Sequence, residues 1–140
     1  MRIIQIVGRS NSGKTTFIKM LIPELKKTGN VAVIKHLADH TYETEEGKDT
    51  TVFFDAGADI SVGIDSHKAV AMIHKNTLDE ILGMLFDQGM DYAIIEGYKN
   101  RAFPKIVIGD LTADNCILKN PMVKDVVASL NLFDNFAHEK

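Results

Sequence analysis

The sequence predicts a three-layer α/β fold with a mostly parallel sheet and an antiparallel hairpin at the edge of that sheet. Short apolar runs rich in β-branched residues alternate with segments of helical spacing over most of the chain, which is typical of this fold class. The first helical segment separates two apolar runs, so we expect a right-handed crossover between two parallel strands. Two later apolar runs are joined by only a few polar residues, as in a hairpin.

Six segments have the pattern of strands, and three of these are expected to be buried on both faces. Those three, residues 3–7, 31–34 and 92–95, contain no charged residue. The hairpin pairs residues 59–63 with residues 69–74, while residues 105–108 form the last strand. In open α/β sheets ligands bind at the carboxyl ends of the strands, so we expect the functional residues to follow the buried strands.

Four segments have the spacing of helices. The apolar stripe of the first helix consists of Phe17, Ile18, Leu21, Ile22 and Leu25. Pro23 lies inside this helix and is expected to bend it. Thr77 precedes the third helix as its cap. The four segments are residues 13–27, a short stretch from about residue 48, residues 78–87 and residues 123–130.

Composition and charge exclude several classes of protein. The chain has 140 residues, enough for a single core, and we expect one domain over residues 1–140. Its net charge of -3 gives no basis for binding nucleic acid or an anionic membrane. Its single cysteine, Cys116, cannot form an internal disulfide or a cysteine metal site alone. The sequence has no signal-peptide pattern and no apolar run long enough to span a bilayer, so we expect a cytoplasmic protein.

The first apolar run leads into a glycine motif that is typical of phosphate binding. Residues 8–15 match the pattern G-x-x-x-x-G-K-S/T and lie between a predicted strand and a predicted helix. Backbone N–H groups of such a loop and the N-terminus of the helix face one point, where an anion is stabilised. We expect Lys14 to bind the terminal phosphates and the Thr15 hydroxyl to coordinate Mg²⁺. The expected nucleotide-binding residues of this phosphate loop are Gly8, Arg9, Ser10, Asn11, Ser12, Gly13, Lys14, Thr15 and Thr16.

Three charged residues outside the motif are candidates for the same site. Glu96 ends a predicted strand, where phosphate-loop proteins place an acid near the metal; the alternative is a carboxylate that simply faces water. Asp49 is either a second acid near the metal or a helix-capping residue. Lys35 leaves the second strand on the ligand side, where it reaches a phosphate or merely extends to water at the sheet edge.

The polar segment after the second strand contains two histidines and several acids. His36 and His40 are four residues apart, but no third ligand has a clear spacing, so a transition-metal site is the minor alternative. The acids are interpreted as a solvated loop and are Asp39, Glu43, Glu45 and Glu46. The guanine-binding pattern N-K-x-D is missing, and residues 112–114 are either a polar turn or the source of a carboxylate for a purine edge.

Five short motifs occur in order along the chain: GRSNSGKTT, IKHLADH, GKDT followed by AGAD, IIEGYK, and PKI. In this combination the chain resembles the molybdopterin-guanine dinucleotide biosynthesis protein B family (MobB), over residues 3–108. The resemblance implies a homodimeric GTP-binding accessory protein with weak GTPase activity in the last stage of molybdenum cofactor maturation. It also implies molybdopterin or its guanylyltransferase as partner, GTP and Mg²⁺ as cofactors, residues 8–16 as the GTP phosphate site, and Glu96 as the acid near Mg²⁺.

The layout is also similar to that of dethiobiotin synthetase, in which a strand-end lysine and two acids serve nucleotide, substrate and metal. By this analogy Lys35, Asp49 and Glu96 have those roles, with the two acids beside Mg²⁺. The chain departs from the MobB pattern after GKDT, where it has an apolar segment that we expect a partner subunit to cover. That segment consists of Val52, Phe53 and Phe54.

Catalysis in such a site would consist of positioning and electrostatic stabilisation, and we expect slow hydrolysis. Arg9 is the main candidate for an arginine in cis, while Arg101 is either a weaker candidate in cis or one that acts in trans across a dimer. Two other functions remain open: a small ATP-dependent kinase or ligase of the dethiobiotin-synthetase type, and an interaction module whose polar loop is ordered by nucleotide. Substrate-stimulated phosphoryl transfer would indicate the first. Partner affinity that changes with nucleotide, combined with slow hydrolysis, would indicate the second.

Overall fold

The central sheet consists of five parallel strands in the part of the chain that this computed structural model describes, residues 1–43 and 48–139. With a separate hairpin included, the strands are β1 (Arg2–Val7), β2 (Val31–Lys35), β3 (Ile60–Ile64), β4 (Ala69–Ile73), β5 (Tyr92–Glu96), β6 (Lys105–Val107) and β7 (Cys116–Lys119). The order across the sheet is β2-β5-β1-β6-β7, and neighbouring strands are parallel throughout. The predicted α/β fold with a mostly parallel sheet and an antiparallel hairpin is confirmed.

The helices of the described residues are α1 (Lys14–Lys26), α2 (Asp49–Asp55), α3 (Leu78–Asp87), α4 (Val123–Ala128) and a 3₁₀-helix (Leu130–Leu132). The chain forms two compact units, one of Met1–Ala38 with Leu82–Lys140 and one of Asp39–Ile81. The boundary between the units falls inside α3, and the expectation of one domain over residues 1–140 stays a prediction. Within the described ranges, no helix has the length and apolar content that a membrane crossing requires.

The core of the first unit lies between one face of the sheet and the helices α1 and α4. The stripe predicted for α1 is confirmed, since Phe17, Ile18, Leu21 and Leu25 are buried and Ile22 is partly buried. These side chains pack with Ile4, Ile6, Ile94, Ile106, Ile108, Val126 and Phe133. Each fully buried aliphatic side chain contributes about 1.5–3 kcal/mol, so this cluster holds α1 and the loop before it against the sheet.

Two strands of the central sheet differ from the predictions. The expectation that residues 31–34 are buried on both faces is wrong, because β2 ends the strand order and Val33 is 45% exposed. An apolar run does not by itself distinguish a central strand from an edge strand. Strand β7 is absent from the predictions, because it is only four residues long and begins and ends with exposed residues, Cys116 and Lys119.

The second unit contains the hairpin of β3 and β4, which forms a two-stranded sheet of its own rather than an edge of the central sheet. Helix α2 is joined to it where the buried Ser61 hydroxyl donates to the Thr50 carbonyl at 2.7 Å. The cap predicted before α3 is present, since the Thr77 hydroxyl accepts from the Glu80 N–H at 3.3 Å. The Glu80 carboxylate in turn accepts from the Thr77 hydroxyl at 2.7 Å and from the Thr77 N–H at 3.2 Å. Accepting these bonds lowers the pKa of Glu80.

Candidate functional site

The phosphate loop connects the end of β1 to the start of α1. The ammonium of Lys14 folds back over the loop, donating to the carbonyls of Gly8 at 3.0 Å and Arg9 at 2.8 Å. Gly13 precedes α1 with a φ of 96°, a left-handed conformation that favours glycine, and no side chain caps the helix there. The first N–H groups of α1 are therefore available to an anion.

The first glycine of the motif is required for a different reason, which is close packing. A Cβ built on Gly8 would lie 2.5 Å from the Ile108 carbonyl oxygen and 2.7 Å from the Ser12 hydroxyl oxygen. The loop thus lies directly against the chain that leaves β6. The Ser12 hydroxyl is buried and has no hydrogen-bond partner within the described residues.

The segment after β6 and the residue after β7 lie against this side of the loop, and neither was predicted from the sequence to be near it. The Asn120 side chain accepts from Gly109 N–H at 2.7 Å and donates to the Gly109 carbonyl at 3.0 Å. Gly109 is in turn close to the loop, because a Cβ on it would lie 3.3 Å from that of Ser12. The Asn120-Pro121 pair was the available signal, but without β7 nothing placed it near the phosphate loop.

Arg9 is held by a neighbouring acid in this structure. Its Nε donates to the Asp110 carboxylate at 3.1 Å, and both side chains are largely exposed. An exposed pair of this kind contributes about 0–1 kcal/mol, so a bound nucleotide could replace it at little cost. The role of Arg9 as an arginine acting in cis stays a prediction.

Glu96 and Lys35 end neighbouring strands at the same edge of the sheet. Glu96 lies opposite Lys35 in the pairing of β2 with β5, and opposite Ile6 in the pairing of β1 with β5. Since Ile6 is followed closely by the phosphate loop, the register brings the Glu96 strand end beside the start of that loop. The predicted residues Lys14, Lys35 and Glu96 therefore share one edge of the first unit.

The backbone after Glu96 is held at several points. Gly97 N–H donates to the Ile6 carbonyl at 3.1 Å, and the amide of Gln5 donates to the carbonyls of Gly97 at 2.8 Å and Tyr98 at 2.6 Å. Tyr98 adopts a left-handed φ of 53° and stacks on the His36 ring, with centroids 4.0 Å apart. A non-glycine residue at such a φ is uncommon, and here hydrogen bonds on both sides of it maintain the conformation.

Lys105 is a further functional candidate that was not predicted from the sequence, although it lies in the PKI motif. Its side chain is 1% exposed, and its ammonium donates to the carbonyls of Arg101 and Phe103. Burial lowers the pKa of Lys105, and the Asp114 carboxylate offsets part of that effect. Arg101 itself lies over the Phe103 ring at 5.2 Å.

Two further predicted residues, His40 and Asp49, lie in the second unit. Asp49 is the first residue of α2, where a carboxylate is favoured by the helix dipole. Its role near a metal stays a prediction, as does that of His40. Glu45 and Glu46 of the expected solvated loop lie outside the described residues. Within residues 1–43 and 48–139, no group of three or more His, Cys, Asp and Glu side chains could hold a metal ion.

The chain is similar to known proteins in sequence and structure. The family model of molybdopterin guanine dinucleotide synthesis protein B matches residues 3–129. A protein of Haemophilus influenzae, named molybdopterin-guanine dinucleotide biosynthesis adapter protein, is 33% identical over 110 residues, which are 76% of this chain and 62% of that protein. A Methanocaldococcus jannaschii protein that provisionally has the same name is 37% identical over 112 residues, 77% of this chain and 47% of that protein.

The chain therefore spans between about half and just under two thirds of the length of these curated relatives. Among solved structures, the crystal structure of Bacillus subtilis MobB matches with a TM-score of 0.65 and 29% sequence identity. The match covers 79% of this chain and 69% of that one.

Proposed function

The chain belongs to the MobB family, that of molybdopterin guanine dinucleotide synthesis protein B, and from this premise we propose that it is a GTP-binding accessory protein of the guanine-dinucleotide stage of molybdenum cofactor biosynthesis. Its GTPase activity is weak, and it acts in the cytoplasm. The observation that carries the proposal is the shared edge of β1, β2 and β5. There the phosphate loop with Lys14 lies beside the strand ends that present Glu96 and Lys35.

The phosphate loop is the part of this edge that binds the GTP phosphates. Its backbone N–H groups and the N-terminus of α1 attract the anion, and Lys14 exchanges its two carbonyl partners for phosphate oxygens. The exchange costs little, because neutral carbonyls are weaker partners for an ammonium than charged phosphates are. Residues 8–16 supply these contacts. Thr15 and Thr16 belong to them as part of the first turn of α1.

The residues at this edge fit Mg²⁺. The ion prefers oxygen ligands and takes only one or two from the protein in nucleotide sites, and the Thr15 hydroxyl with the Glu96 carboxylate provides such a pair. Glu96 is half-buried and forms no ion pair with another described residue, so its charge is free to act on a cation. When bound, the ion neutralises charge that develops on the phosphate oxygens. Asp49 is the proposed second acid.

Slow hydrolysis follows from what surrounds the phosphates. Arg9 is the arginine nearest to Lys14 along the sequence, and its guanidinium pairs with the Asp110 carboxylate. Stabilisation of the transferring phosphoryl group by an arginine accounts for about 10³–10⁵-fold in rate in phosphate-loop enzymes. Because Arg9 is exposed and its pair with Asp110 is weak, this arginine is not preorganised to stabilise the transferring phosphoryl group, and hydrolysis is therefore slow.

Association with a second copy of the chain and with a pathway partner completes the proposal. The side chains of Ile60, Val62 and Ile64 lie on one face of the hairpin and are 58%, 49% and 82% exposed. Val52 and Phe53 of α2 are also exposed, whereas Phe54 stacks on His74 at 3.9 Å. Such an apolar surface supports a homodimer through the second unit. Molybdopterin or its guanylyltransferase is the proposed partner of the nucleotide-bound form.

Calorimetric titration with non-hydrolysable GTP and ATP analogues, with and without Mg²⁺, tests the proposal. We expect tight binding of the GTP analogue that Lys14→Ala abolishes and that loses its Mg²⁺ dependence in Glu96→Ala. Lys19→Ala, which removes an exposed lysine from the same helix, is the matched control. Binding of the ATP analogue alone would disprove the guanine assignment, while unchanged binding in Lys14→Ala would disprove the phosphate-loop site.

One observation favours a second candidate function, a small ATP-dependent kinase or ligase. Lys35 and Glu96 lie opposite each other on neighbouring strands, as a strand-end lysine and a metal acid would in an enzyme of the dethiobiotin-synthetase type. That function requires phosphoryl transfer at enzyme-like rates, of about 1 s⁻¹ or more, when a metabolite is added. Hydrolysis that stays slow with every added metabolite, together with GTP binding, would favour the accessory role.

A further inference from the structure

Resting on the proposed function, we propose that Gln5 and Lys105 are positioning residues that fix the Glu96 carboxylate for magnesium by hydrogen bonding to the backbone of residues 97–103. Neither residue touches nucleotide in this proposal. Both act through the loop that leaves β5, and their partners are four carbonyl groups of that one loop.

The two side chains lie side by side beneath the loop. Gln5 and Lys105 are opposite each other in the parallel pairing of β1 with β6, so their side chains point to the same face of the sheet. This is the face opposite to that of Ile4 and Ile6, which pack against α1. The loop folds over this face, since Gln5 and Lys105 are both almost fully buried.

Gln5 uses both donors of its amide nitrogen on consecutive carbonyls of the loop, those of Gly97 and Tyr98. These bonds determine the left-handed turn at Gly97 and Tyr98, with φ values of 101° and 53°. The amide oxygen of Gln5 is buried without a hydrogen-bond partner among the described residues. An apolar side chain would fill the same space without that cost, so we infer that the two bonds donated by Gln5 have a role beyond packing.

Lys105 holds the far end of the same loop. Its ammonium donates to the carbonyls of Arg101 and Phe103 in a site where burial disfavours the charge. Lysine is almost never fully buried unless its charge is compensated. Here the Asp114 carboxylate offsets part of the cost of burial, and the loop carbonyls accept the hydrogen bonds of the ammonium, which links Lys105 to the path of the backbone.

These contacts reach Glu96 because the backbone is fixed on both sides of it. The Glu96 carbonyl accepts from His36 N–H at 2.9 Å, and the next N–H, of Gly97, donates to the Ile6 carbonyl. The carbonyls of Gly97 and Tyr98 are then held by Gln5. With successive peptide units immobilised, the position of the Glu96 Cα and the direction of its Cα–Cβ bond are fixed, which limits the positions that the carboxylate can reach. Groups that orient a metal ligand in this way typically affect metal affinity by about 10- to 100-fold.

The test uses Gln5→Met and Lys105→Met, which remove the donors while keeping side-chain length, and Leu25→Ala as a core control at the far end of α1. The affinity for a GTP analogue is measured in EDTA and in Mg²⁺, alongside the melting temperature and the hydrogen exchange of residues 97–103. We expect the Mg²⁺-dependent part of the affinity to fall by about 10- to 100-fold in both methionine variants. Affinity in EDTA stays within about threefold of wild type, because the phosphate loop is unaltered.

A double-mutant cycle separates positioning from mere stability. In a Glu96→Ala background, where no Mg²⁺-dependent affinity is expected to remain, Gln5→Met should leave the total affinity measured in Mg²⁺ unchanged, since the residue through which it acts is gone. Should Lys105→Met fail to fold, the cycle with Gln5→Met decides alone. Equal losses in EDTA and in Mg²⁺, additive losses in the cycle, or the same pattern in Leu25→Ala would each overturn the inference.

Failure of the proposed function can be distinguished from failure of the positioning inference. If wild type binds no GTP analogue, the function is wrong and the loop can still be tested by hydrogen exchange. Faster exchange of residues 97–103 in Gln5→Met than in Leu25→Ala would then support the structural half of the inference, and equal exchange would overturn it.

Discussion

The side-chain amide of Asn120 pairs with the backbone of Gly109 in both directions, accepting at 2.7 Å and donating at 3.0 Å. Asn120 also donates its own N–H to the Val107 carbonyl at 2.8 Å. The carboxyl ends of β6 and β7 are joined in this way, and Gly109 is held against Ser12 of the phosphate loop. One side of the loop is therefore bounded by residues that are far away along the chain.

Replacing Asn120 by glycine should loosen that side of the loop. Asn120 has a φ of 48°, which glycine adopts without strain, so Asn120→Gly removes the two side-chain bonds and adds little else. We expect the free energy of unfolding to fall by about 1–3 kcal/mol and the affinity for nucleotide to fall with it. Urea unfolding and calorimetry measure the two effects. Wild-type values for both would mean that the pairing does not support the loop.

Gly97→Ala should be more destabilising than an alanine at another left-handed glycine. A Cβ on Gly97 would lie 2.9 Å from that of His36, whereas one on Gly89, with a φ of 77°, meets nothing within 4 Å. Gly89→Ala should cost only the backbone strain, about 1–2 kcal/mol. Gly97→Ala adds the clash with His36, so thermal unfolding should show a clearly larger loss. Equal losses would mean that the His36 side chain moves aside freely.

Lys14→Ala should abolish nucleotide binding with little effect on the fold. The bonds that Lys14 makes to Gly8 and Arg9 are partly exposed, so their loss should change stability by at most about 1 kcal/mol. Lys19→Ala again serves as the control. A large drop in melting temperature in Lys14→Ala would instead indicate that the lysine is a structural part of the loop.

The Arg9–Asp110 pair should affect hydrolysis rather than stability. Because both side chains are exposed, Arg9→Ala and Asp110→Asn should each change the free energy of unfolding by less than about 1 kcal/mol. If Arg9 acts in cis, Arg9→Ala slows GTP hydrolysis, and Asp110→Asn, which releases the guanidinium, does not. Single-turnover hydrolysis compares the variants. Equal rates in all three proteins would exclude Arg9 from the chemistry.

The stability of the protein should depend on pH through Lys105. Burial holds the pKa of Lys105 below its ordinary value of 10.5. Between the folded and unfolded pKa values the unfolded chain binds more protons, so this group makes the free energy of unfolding rise with pH. Relative to Lys105→Met, wild type should therefore gain stability as the pH increases toward 10.5. Urea unfolding at a series of alkaline pH values measures the difference, and a constant or falling difference would contradict the lowered pKa.

The local parts of the fold were predictable from the sequence. The phosphate loop, the stripe of α1 and the cap of α3 each depend on residues a few positions apart, where spacing and hydrogen-bonding chemistry act directly. The ends of strands and helices were predicted to within a residue or two for most elements. The edge position of β2 and the existence of β7 were not predictable in this way, because both depend on which distant strands lie alongside.

The candidate site likewise has a part that was predictable from the sequence and a part that only the tertiary structure defines. The sequence by itself determined a strand, a glycine loop with Lys14 and Thr15, and a helix, because these elements are contiguous and their geometry is local. Only the tertiary structure decided that β5 lies between β1 and β2, which places Glu96 opposite Lys35 and next to the loop. It alone also decided that Gln5 bonds to backbone 92 and 93 positions away, and that Gly109, held by Asn120, lies against Ser12 of the loop. The physical reason is that strand order and burial arise from packing over the whole sheet, which no short stretch of residues specifies.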